Sequence, residues 1–404
     1  MRHVHRRGWL TGIGVALATG VLLASAGSGV AASTLASWSF PGYTTGNTNY
    51  NTNEAVLGSA NVGTLAQHSS YLLPSGTLQL SNILSVGTTQ YLQYNTKDSS
   101  GQFFEHVVAI NLAKGKTRWT STSAVAPGLA VPFTGQPGPI AYHSGVIYAS
   151  AYDHLDAINA TTGAILWSYT PSQMTADLHL EAVANGRVFI RDGNANQNID
   201  AVSSTTGARE WTFATDEPIQ NAAYGSGTLY VGSGDRYVHA VNATTGVQKW
   251  SQTYGFGSPY VAFANATVYM ASLQDVTALK PSNGHVIWTR TLPAGNNATP
   301  SFGDGHAVFT DGYEMSSLST TANGTLQWSN YGATPGNCSF VGANSVIYCA
   351  AQNGAVVAYD ATDGQTLWST NLPGGTIAGP IVVNGCLYLA TTQASHDELL
   401  SYCP

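Results

Sequence analysis

A Gly-x-x-x-Trp unit recurs seven times along the chain and constrains its fold more than any other feature. Successive tryptophans lie 38 to 48 residues apart, and six of the seven units also carry an alanine six residues before the glycine. Self-similarity at a period of about 40 residues is typical of propeller blades. The glycine and tryptophan of each unit are Gly115 and Trp119, Gly163 and Trp167, Gly207 and Trp211, Gly246 and Trp250, Gly284 and Trp288, Gly324 and Trp328, and Gly364 and Trp368.

Each unit predicts a strand, a tight turn and a second strand. Apolar residues alternate up to an Asn or Asp, which caps a turn that the glycine completes with a positive φ. The tryptophan then begins the next strand and offers a large ring to bury against a neighbouring blade. Each period also contains a second predicted hairpin, as at Asn185-Gly186 and Asn384-Gly385, because Asn-Gly between apolar runs strongly favours a hairpin. Every period therefore holds four antiparallel strands, and the chain is predicted to be an all-β propeller.

The number of blades follows from the two ends of the repeat. After Trp368 the sequence predicts three strands, near 377–382, 386–391 and 398–403, which need a fourth. The segment 62–72 can supply this outer strand and so remove an exposed sheet edge. We therefore expect an eight-bladed propeller over residues 61–404, closed by an N-terminal strand in the last blade. Residues 33–60 would form a lead-in segment.

The first 32 residues have the layout of an export signal. Arg2, Arg6 and Arg7 precede an apolar run and then small residues up to Ala32. The run is interrupted by glycines and is shorter than the roughly 20 residues that a membrane-spanning helix needs. The basic start is compatible with twin-arginine-like export and with Sec export. An extracellular, cell-surface or periplasmic location is expected, with no transmembrane segment in the mature chain.

Charge and composition exclude one class of partner. The formal net charge is −7, and only 9% of residues are charged. Removal of the predicted signal takes away three arginines and no acidic residue, so the mature chain is more acidic still. Because binding to the phosphate backbone requires a basic face, we expect no nucleic-acid partner. We expect a monomer that binds a protein or an extracellular polymer.

All four cysteines lie in the last two repeats, in a chain that is expected to reach a compartment permitting disulfides. Three pairings are open from sequence alone. The strand order favours two disulfides that each join neighbouring strands of one blade. They are Cys338 with Cys349 and Cys386 with Cys403.

The pattern Ala-x-Asn/Asp-x-x-x-Gly-x-x-x-Trp resembles the tryptophan-docking motif of the PQQ-like, or quinoprotein alcohol dehydrogenase-like, β-propellers. Trp38-Ser39-Phe40-Pro41-Gly42 also resembles the N-terminal segment of that family. The resemblance implies a scaffold on which some members hold pyrroloquinoline quinone (PQQ) and calcium at the propeller axis under a vicinal Cys-Cys disulfide. This chain has no adjacent cysteines, and no position matches the family's catalytic motifs. It is closer in size to the minimal non-enzymatic members, such as the scaffold propeller of outer-membrane assembly.

Two interpretations of function follow. The first is a non-catalytic binding propeller, and the alternative is a small PQQ- and calcium-dependent oxidoreductase. No catalytic residue is predicted, and the cofactor-binding residues are left unknown. The binding hypothesis places its surface on inter-blade loops that escape the repeat, at residues 127–139, 174–179, 254–260 and 295–299.

Candidate metal ligands are weak. The run 192–198 has oxygen ligands at alternate positions, as calcium loops do, but it falls where the repeat needs a turn. Asp153, Asp235, Asp275 and Asp311 recur at the equivalent turn. The eleven histidines show no paired spacing, so each is predicted to be a turn or surface residue rather than a ligand.

Overall fold

The computed structural model describes residues 35–126, 137–172, 177–192, 195–253, 259–292, 299–311, 313–332, 334–336, 338–392 and 396–404. They belong to a compact unit, Leu35–Pro404. The predicted export signal lies outside the described residues. Within the described part of the chain, no helix is long and apolar enough to span a membrane.

The first four blades follow one another along the chain, and the strands of each are given from the axis outward. Blade 1 comprises β4 (Leu80–Val86), β5 (Thr89–Lys97), β6 (Phe103–Asn111) and β7 (Lys116–Ala124). Blade 2 comprises β8 (Ile140–His143), β9 (Val146–Ser150), β10 (Leu155–Asn159) and β11 (Ile165–Tyr169). Blade 3 comprises β12 (His179–Ala184), β13 (Arg187–Arg191), β14 (Asn198–Ser203) and β15 (Arg209–Ala214). Blade 4 comprises β16 (Ile219–Gly225), β17 (Thr228–Ser233), β18 (Tyr237–Asn242) and β19 (Gln248–Thr253).

The last four blades continue the pattern. Blade 5 comprises β20 (Tyr260–Ala264), β21 (Thr267–Ala271), β22 (Asp275–Leu279) and β23 (Val286–Thr291). Blade 6 comprises β24 (Ser301–Gly303), β25 (His306–Thr310), β26 (Glu314–Ser319) and β27 (Leu326–Tyr331). Blade 7 comprises β28 (Cys338–Ala343), β29 (Val346–Ala351), β30 (Ala355–Asp360) and β31 (Thr366–Asn371). Blade 8 comprises β32 (Thr376–Val383), β33 (Cys386–Thr392), β34 (Asp397–Cys403) and the N-terminal β3 (Ala66–Leu72).

The eight-bladed, four-stranded antiparallel architecture is thus confirmed. The predicted ring closure is also present, because β3 pairs antiparallel with β34. The N-terminal strands nevertheless pair with three blades rather than one. Strand β1 (Ser37–Trp38) pairs with β4 of blade 1, and β2 (Tyr50–Asn51) pairs with β28 of blade 7. Short 3₁₀ helices span Val62–Thr64 and Leu112–Lys114.

The Gly-x-x-x-Trp units join successive blades through close backbone approach. A Cβ atom added to Gly163 of blade 2 would lie 2.7 Å from the Trp119 ring of blade 1. The Trp119 indole N–H also donates to the Ala160 carbonyl at 3.1 Å. The ring-against-glycine contact repeats at the next five seams. At these six seams only glycine leaves room for the ring and accepts the positive φ, so the same glycine serves the turn and the contact between blades.

The seam between blade 8 and blade 1 is different. Nothing lies within 4 Å of the Cβ position of Gly115, so no tryptophan ring covers this glycine. The outer strands meet instead through the hydroxyls of Tyr71 and Thr117, 2.5 Å apart. The N-terminal chain crosses the same seam, since Ala36 exchanges two hydrogen bonds with the Asn384 side chain. Ring closure therefore depends on the N-terminal chain where the repeat offers no tryptophan.

Both disulfides join neighbouring strands of one blade, in the pairing that the sequence favoured. Cys338–Cys349 links β28 to β29, and Cys386–Cys403 links β33 to β34. The first lies in blade 7 and the second in blade 8. The second holds the C-terminal strand onto which β3 pairs.

Candidate functional site

Residues 35–57, here called the collar, encircle one end of the propeller axis. Collar carbonyls accept hydrogen bonds from backbone N–H groups near the ends of the inner strands, in blade order. The hydrogen-bonded pairs, with the collar carbonyl first, are Ser39 with Tyr142, Thr45 with Tyr224, Gly46 with Phe263, Thr48 with Phe302, and Asn49 with Gly342, at 2.7 to 2.8 Å. Phe40 packs against the apolar cluster between blades 2 and 3. The collar then reaches blade 8, where the Asn51 amide donates to the Val382 carbonyl at 2.7 Å.

Particular residues allow the collar to curve this tightly. Tyr43, Asn47 and Asn49 have positive φ angles of 68°, 52° and 50°, a conformation that Asn tolerates better than most residues. A Cβ atom on Gly46 would lie 2.2 Å from the Phe263 carbonyl oxygen. The Tyr50 ring has no exposed surface. The collar is therefore a fixed part of the fold and closes this end of the channel.

A cavity of about 640 Å³ occupies the axis above the collar. Pro41, Gly42, Asn47 and Asn49 form its floor, and inner strands of blades 1, 3, 4, 5, 7 and 8 contribute to its wall. Because the inter-blade loops enter each inner strand at the end opposite the collar, the cavity opens toward those loops. We call it the axial cup.

The structure brings the described ends of three sequence-predicted inter-blade segments to this cup. Three of the four predicted segments end on residues that line it: His179, Tyr260 and Thr299. The remainder of these loops lies largely outside the described residues, which omit 127–136, 173–176, 254–258 and 293–298. The described ends of these three segments therefore lie at the open mouth.

Two asparagines on the wall of the cup bridge neighbouring inner strands. Asn82 of blade 1 accepts from the Ile140 N–H at 2.8 Å and donates to the Ile140 carbonyl at 3.1 Å. Asn221 of blade 4 makes the same pair of bonds to Val261, both at 2.8 Å. Inner strands expose an unpaired edge to the axis, and each side-chain amide covers part of it. These amides are therefore committed to holding blades together.

Glu181 is a buried charge at the wall of the cup. Its Oε1 accepts from Arg191 Nε at 2.5 Å and lies 3.0 Å from His179 Nδ1, while its Oε2 accepts from the Ala222 N–H at 2.7 Å. Burial alone would raise the pKa of Glu181, but the Arg191 charge and these hydrogen bonds bring it down to about 2. Burial and the Arg191 charge also lower the pKa of His179. The charge on Glu181 is therefore compensated inside the protein.

The sequence analysis missed Glu181, Asn82 and Asn221. A usable pattern was present, since each is a polar residue near the start of an inner strand whose next two residues are apolar, as in Glu181-Ala182-Val183. In the run 192–198, residues 193 and 194 lie outside the described residues. The Asn198 amide donates to Asp192 at 3.2 Å across this turn. Asp235 and Asp311 cap equivalent turns, each accepting from the N–H of a tyrosine two residues on.

The expectation that every histidine is a turn or surface residue is wrong for two of them. His239 and His306 lie in strands β18 and β25 and are buried. His154 does lie in a turn, yet it too is buried, between two aspartates. The partners of His239 are Gln248 and Asp235, which no spacing rule in the sequence revealed.

The described residues of the cup do not fit pyrroloquinoline quinone with calcium. The cofactor is a tricarboxylate, so it needs uncompensated cationic groups or a metal held by free oxygen ligands. Arg191 and both oxygens of Glu181 are already paired, and the Asn82 and Asn221 amides bridge strands. Among the residues that the structure describes, no three or more His, Cys, Asp or Glu side chains are grouped to hold a metal.

Comparison with solved structures shows the same fold. Europium-containing methanol dehydrogenase superposes with a TM-score of 0.71 at 14% identity, covering 91% of this chain and 98% of that one. Quinohemoprotein alcohol dehydrogenase from Comamonas testosteroni gives 0.68 at 17% identity, covering 91% and 80%. BamB from Moraxella catarrhalis gives 0.61 at 18% identity, covering 84% and 100%. Identities this low establish the fold alone.

Comparison by sequence identifies one family. No curated protein sequence matches the chain. The sequence profile of one family, described as outer membrane protein assembly factor BamB, matches residues 104–258, 234–341 and 336–401. Together these matches cover most of the eight blades. The chain therefore belongs to the family described as outer membrane protein assembly factor BamB.

Proposed function

We propose that this chain is an exported, non-catalytic β-propeller, secreted or held at the cell surface, that binds a protein or polymer through its inter-blade loops. The observation that carries the proposal is the construction of the axial cup. The collar fills one end, and three of the sequence-predicted loops end on cup-lining residues at the other. A partner would therefore enter from the loop side.

The chemistry of the cup supports binding rather than catalysis. Its buried carboxylate is held ionised by Arg191, and its wall amides bridge inner strands. A general acid or base needs a pKa near the working pH, whereas the pKa of Glu181 is about 2. The family description, an assembly factor, agrees with a role in protein interactions.

Point variants at the mouth test this proposal. Ser339 lines the cup and is exposed, so Ser339→Trp should obstruct entry without disturbing the core. Thr205, an exposed turn residue at the collar end of blade 3, provides Thr205→Trp as the matched control. Binding of the purified chain to peptide and glycan arrays is the measurement. We expect one class to bind, with binding lost in Ser339→Trp and kept in Thr205→Trp.

The alternative is a small PQQ- and calcium-dependent oxidoreductase, which the fold shared with quinoprotein dehydrogenases favours. Calorimetry with the quinone and calcium, followed by dye reduction with alcohols, separates the two. Heat of binding at micromolar concentration together with turnover would replace the binding proposal. Equal loss of array binding in both tryptophan variants would also count against it, because the site would then lie elsewhere.

A further inference from the structure

The interface between blades 1 and 2 buries an unusual group of charges. Glu105, Asp153 and Asp156 are only 2%, 5% and 3% exposed. Their one cationic neighbour in the cluster is His154, whose Nδ1 lies 2.5 Å from Asp153 Oδ1 and whose Nε2 lies 3.3 Å from Asp156 Oδ2. Three carboxyl groups are thus buried against one imidazole ring.

A small cavity lies inside this cluster. Its volume is about 10 Å³, close to the roughly 10–15 Å³ that one water-sized occupant needs. Five side chains with oxygen atoms line it: Gln93, Glu105, Ser121, Ser123 and Asp156. Glu105 Oε1 and Gln93 Oε1 are buried there with no hydrogen-bond partner. Both are acceptors, and an unsatisfied buried acceptor is costly.

The next interface shows how the same position is normally filled. Between blades 2 and 3, the Tyr169 hydroxyl donates to Asp200 Oδ2 at 2.7 Å and the Thr212 hydroxyl donates to Asp200 Oδ1 at 2.5 Å. Tyr169 lies two residues after Trp167, and the residue two after Trp119 is Ser121. A short serine in place of a tyrosine therefore leaves space beside Asp156.

Blade 1 also adds a carboxylate at this point. Its strands β5, β6 and β7 are nine residues long, against five in the corresponding strands of blade 2. The additional length carries Glu105, which accepts from Gln93 Nε2 at 3.2 Å and faces the cavity. Compared with the interface between blades 2 and 3, this interface therefore has a serine in place of the tyrosine and an additional carboxyl group, that of Glu105.

We propose that the blade 1–blade 2 cavity binds one divalent cation of calcium size. Glu105 and Asp156 would supply carboxylate ligands, and Gln93 a carbonyl oxygen. Ser121 and Ser123 would complete the oxygen set, which is the ligand type that calcium prefers. A divalent cation would bring positive charge to a place where three carboxyl groups are buried against one imidazole ring. Only two of the five proposed ligands are acidic, so the site is not a group of three or more His, Cys, Asp or Glu side chains, the kind of metal site that is absent among the described residues. It also lies away from the axial cup.

Calcium binding to the purified mature chain, stripped with EDTA and studied at pH 8, tests the proposal. We expect equilibrium dialysis to give one calcium per chain, and terbium to give sensitised luminescence that calcium displaces. Thermal unfolding should shift upward by several degrees with calcium, since a ligand that binds only the folded state stabilises it. A chain that takes up no calcium and melts at one temperature with calcium or EDTA would overturn the proposal in favour of a buried water or proton.

Glu105→Gln is the matched variant because it keeps the side-chain shape and removes the charge. We expect calcium affinity to fall at least tenfold. In EDTA the variant should melt no lower than the parent, which would show that it folds. Glu217→Gln, at an exposed position in blade 3's outgoing loop, is the control and should bind as the parent does. Uptake unchanged in Glu105→Gln would place the bound ion elsewhere and refute this site.

Discussion

The two ends of the propeller axis are built on the same inner strands but are completed by different parts of the chain. At the collar end, one continuous segment hydrogen-bonds to inner strands around the ring and buries Tyr50 and Trp38 completely. At the mouth, separate inter-blade loops end on exposed or half-buried residues such as Thr299, Ser339 and His179. The collar end is therefore a structural seal, whereas the mouth is free to carry recognition.

This difference shows how a repeat fold divides stability from function. Blades in a repeat protein stabilise one another through their neighbours, and the last seam lacks the tryptophan that joins the others. The collar crosses that seam, so the N-terminal chain supplies closure. Inter-blade loops fall outside the repeat and can vary in length and composition. Four predictions test the contrast.

The largest effect is expected from deleting residues 33–75. The deletion removes both the collar and β3, so blade 8 would lose its outer strand and the axis its seal. The exposed edge and the opened seam should loosen the whole ring. Calorimetry should show the melting temperature falling by more than about 10 °C, or no cooperative transition. A truncated chain that melts with the parent would show that the collar is an appendage.

Glu181→Gln should lower the free energy of unfolding by on the order of 3 kcal/mol at neutral pH. The folded-state pKa of Glu181, about 2, lies below its ordinary value of 4.5. This carboxylate therefore contributes stability above pH 4.5, which the parent loses as the pH falls toward 2. The variant should melt lower at pH 7, and its melting temperature should change less between pH 5 and pH 2. Glu217→Gln, at an exposed position, is the control. If its melting temperature changes as little between pH 5 and pH 2 as that of Glu181→Gln, the effect cannot be assigned to Glu181.

Cys403→Ser is expected to cost about 3 kcal/mol, because the disulfide closes a loop of moderate length. Its partner Cys386 follows directly after Gly385, whose N–H donates to Glu54 of the collar. Hydrogen exchange should therefore quicken in β34 and β3 at the collar end. Cys338→Ser, which opens the disulfide beginning at the mouth, is the comparison and should leave β3 protected. Equal exchange of β3 in both variants would show that the disulfides do not act locally.

Gly342→Ala should have the smallest effect of the four, a loss of roughly 1–3 kcal/mol. Its new Cβ would lie 2.1 Å from the Tyr50 ring, whose hydroxyl donates to Asp304 at 2.6 Å. The ring must move, and part of the collar with it. Denaturant unfolding measures the change. Gly63→Ala is the control, since its Cβ would meet only the Leu367 carbonyl at 3.7 Å. If Gly342→Ala unfolds at the same denaturant concentration as the parent, the collar can shift without loss of stability.

Much of the molecule could be read from the sequence because its main determinants are local and repeated. The glycine and tryptophan of each unit specify a turn and a ring seven times over, and the strands after Trp368 required a partner that β3 supplies. The pairing of Cys386 with Cys403 followed from strand order. The inter-blade loops could be recognised as candidates because they alone departed from the repeat.

What the sequence by itself determined is the blade, the number of blades and the closing strand, since these depend on contacts within one repeat or between adjacent ones. The tertiary structure decided the collar, the Asn82 and Asn221 bridges, the Glu181–Arg191 pair and the carboxylates between blades 1 and 2. The Glu181–Arg191 pair lies within blade 3, and the Asn82 and Asn221 bridges join adjacent blades. These contacts depend on the placement of single side chains that the repeat does not contain. The collar contacts join residues far apart in the chain that meet only when the ring closes. Asn49, for example, donates to the carbonyl of Pro300, 251 residues away. Contacts at such separation leave no periodic trace in one sequence, because their geometry exists only in the assembled ring.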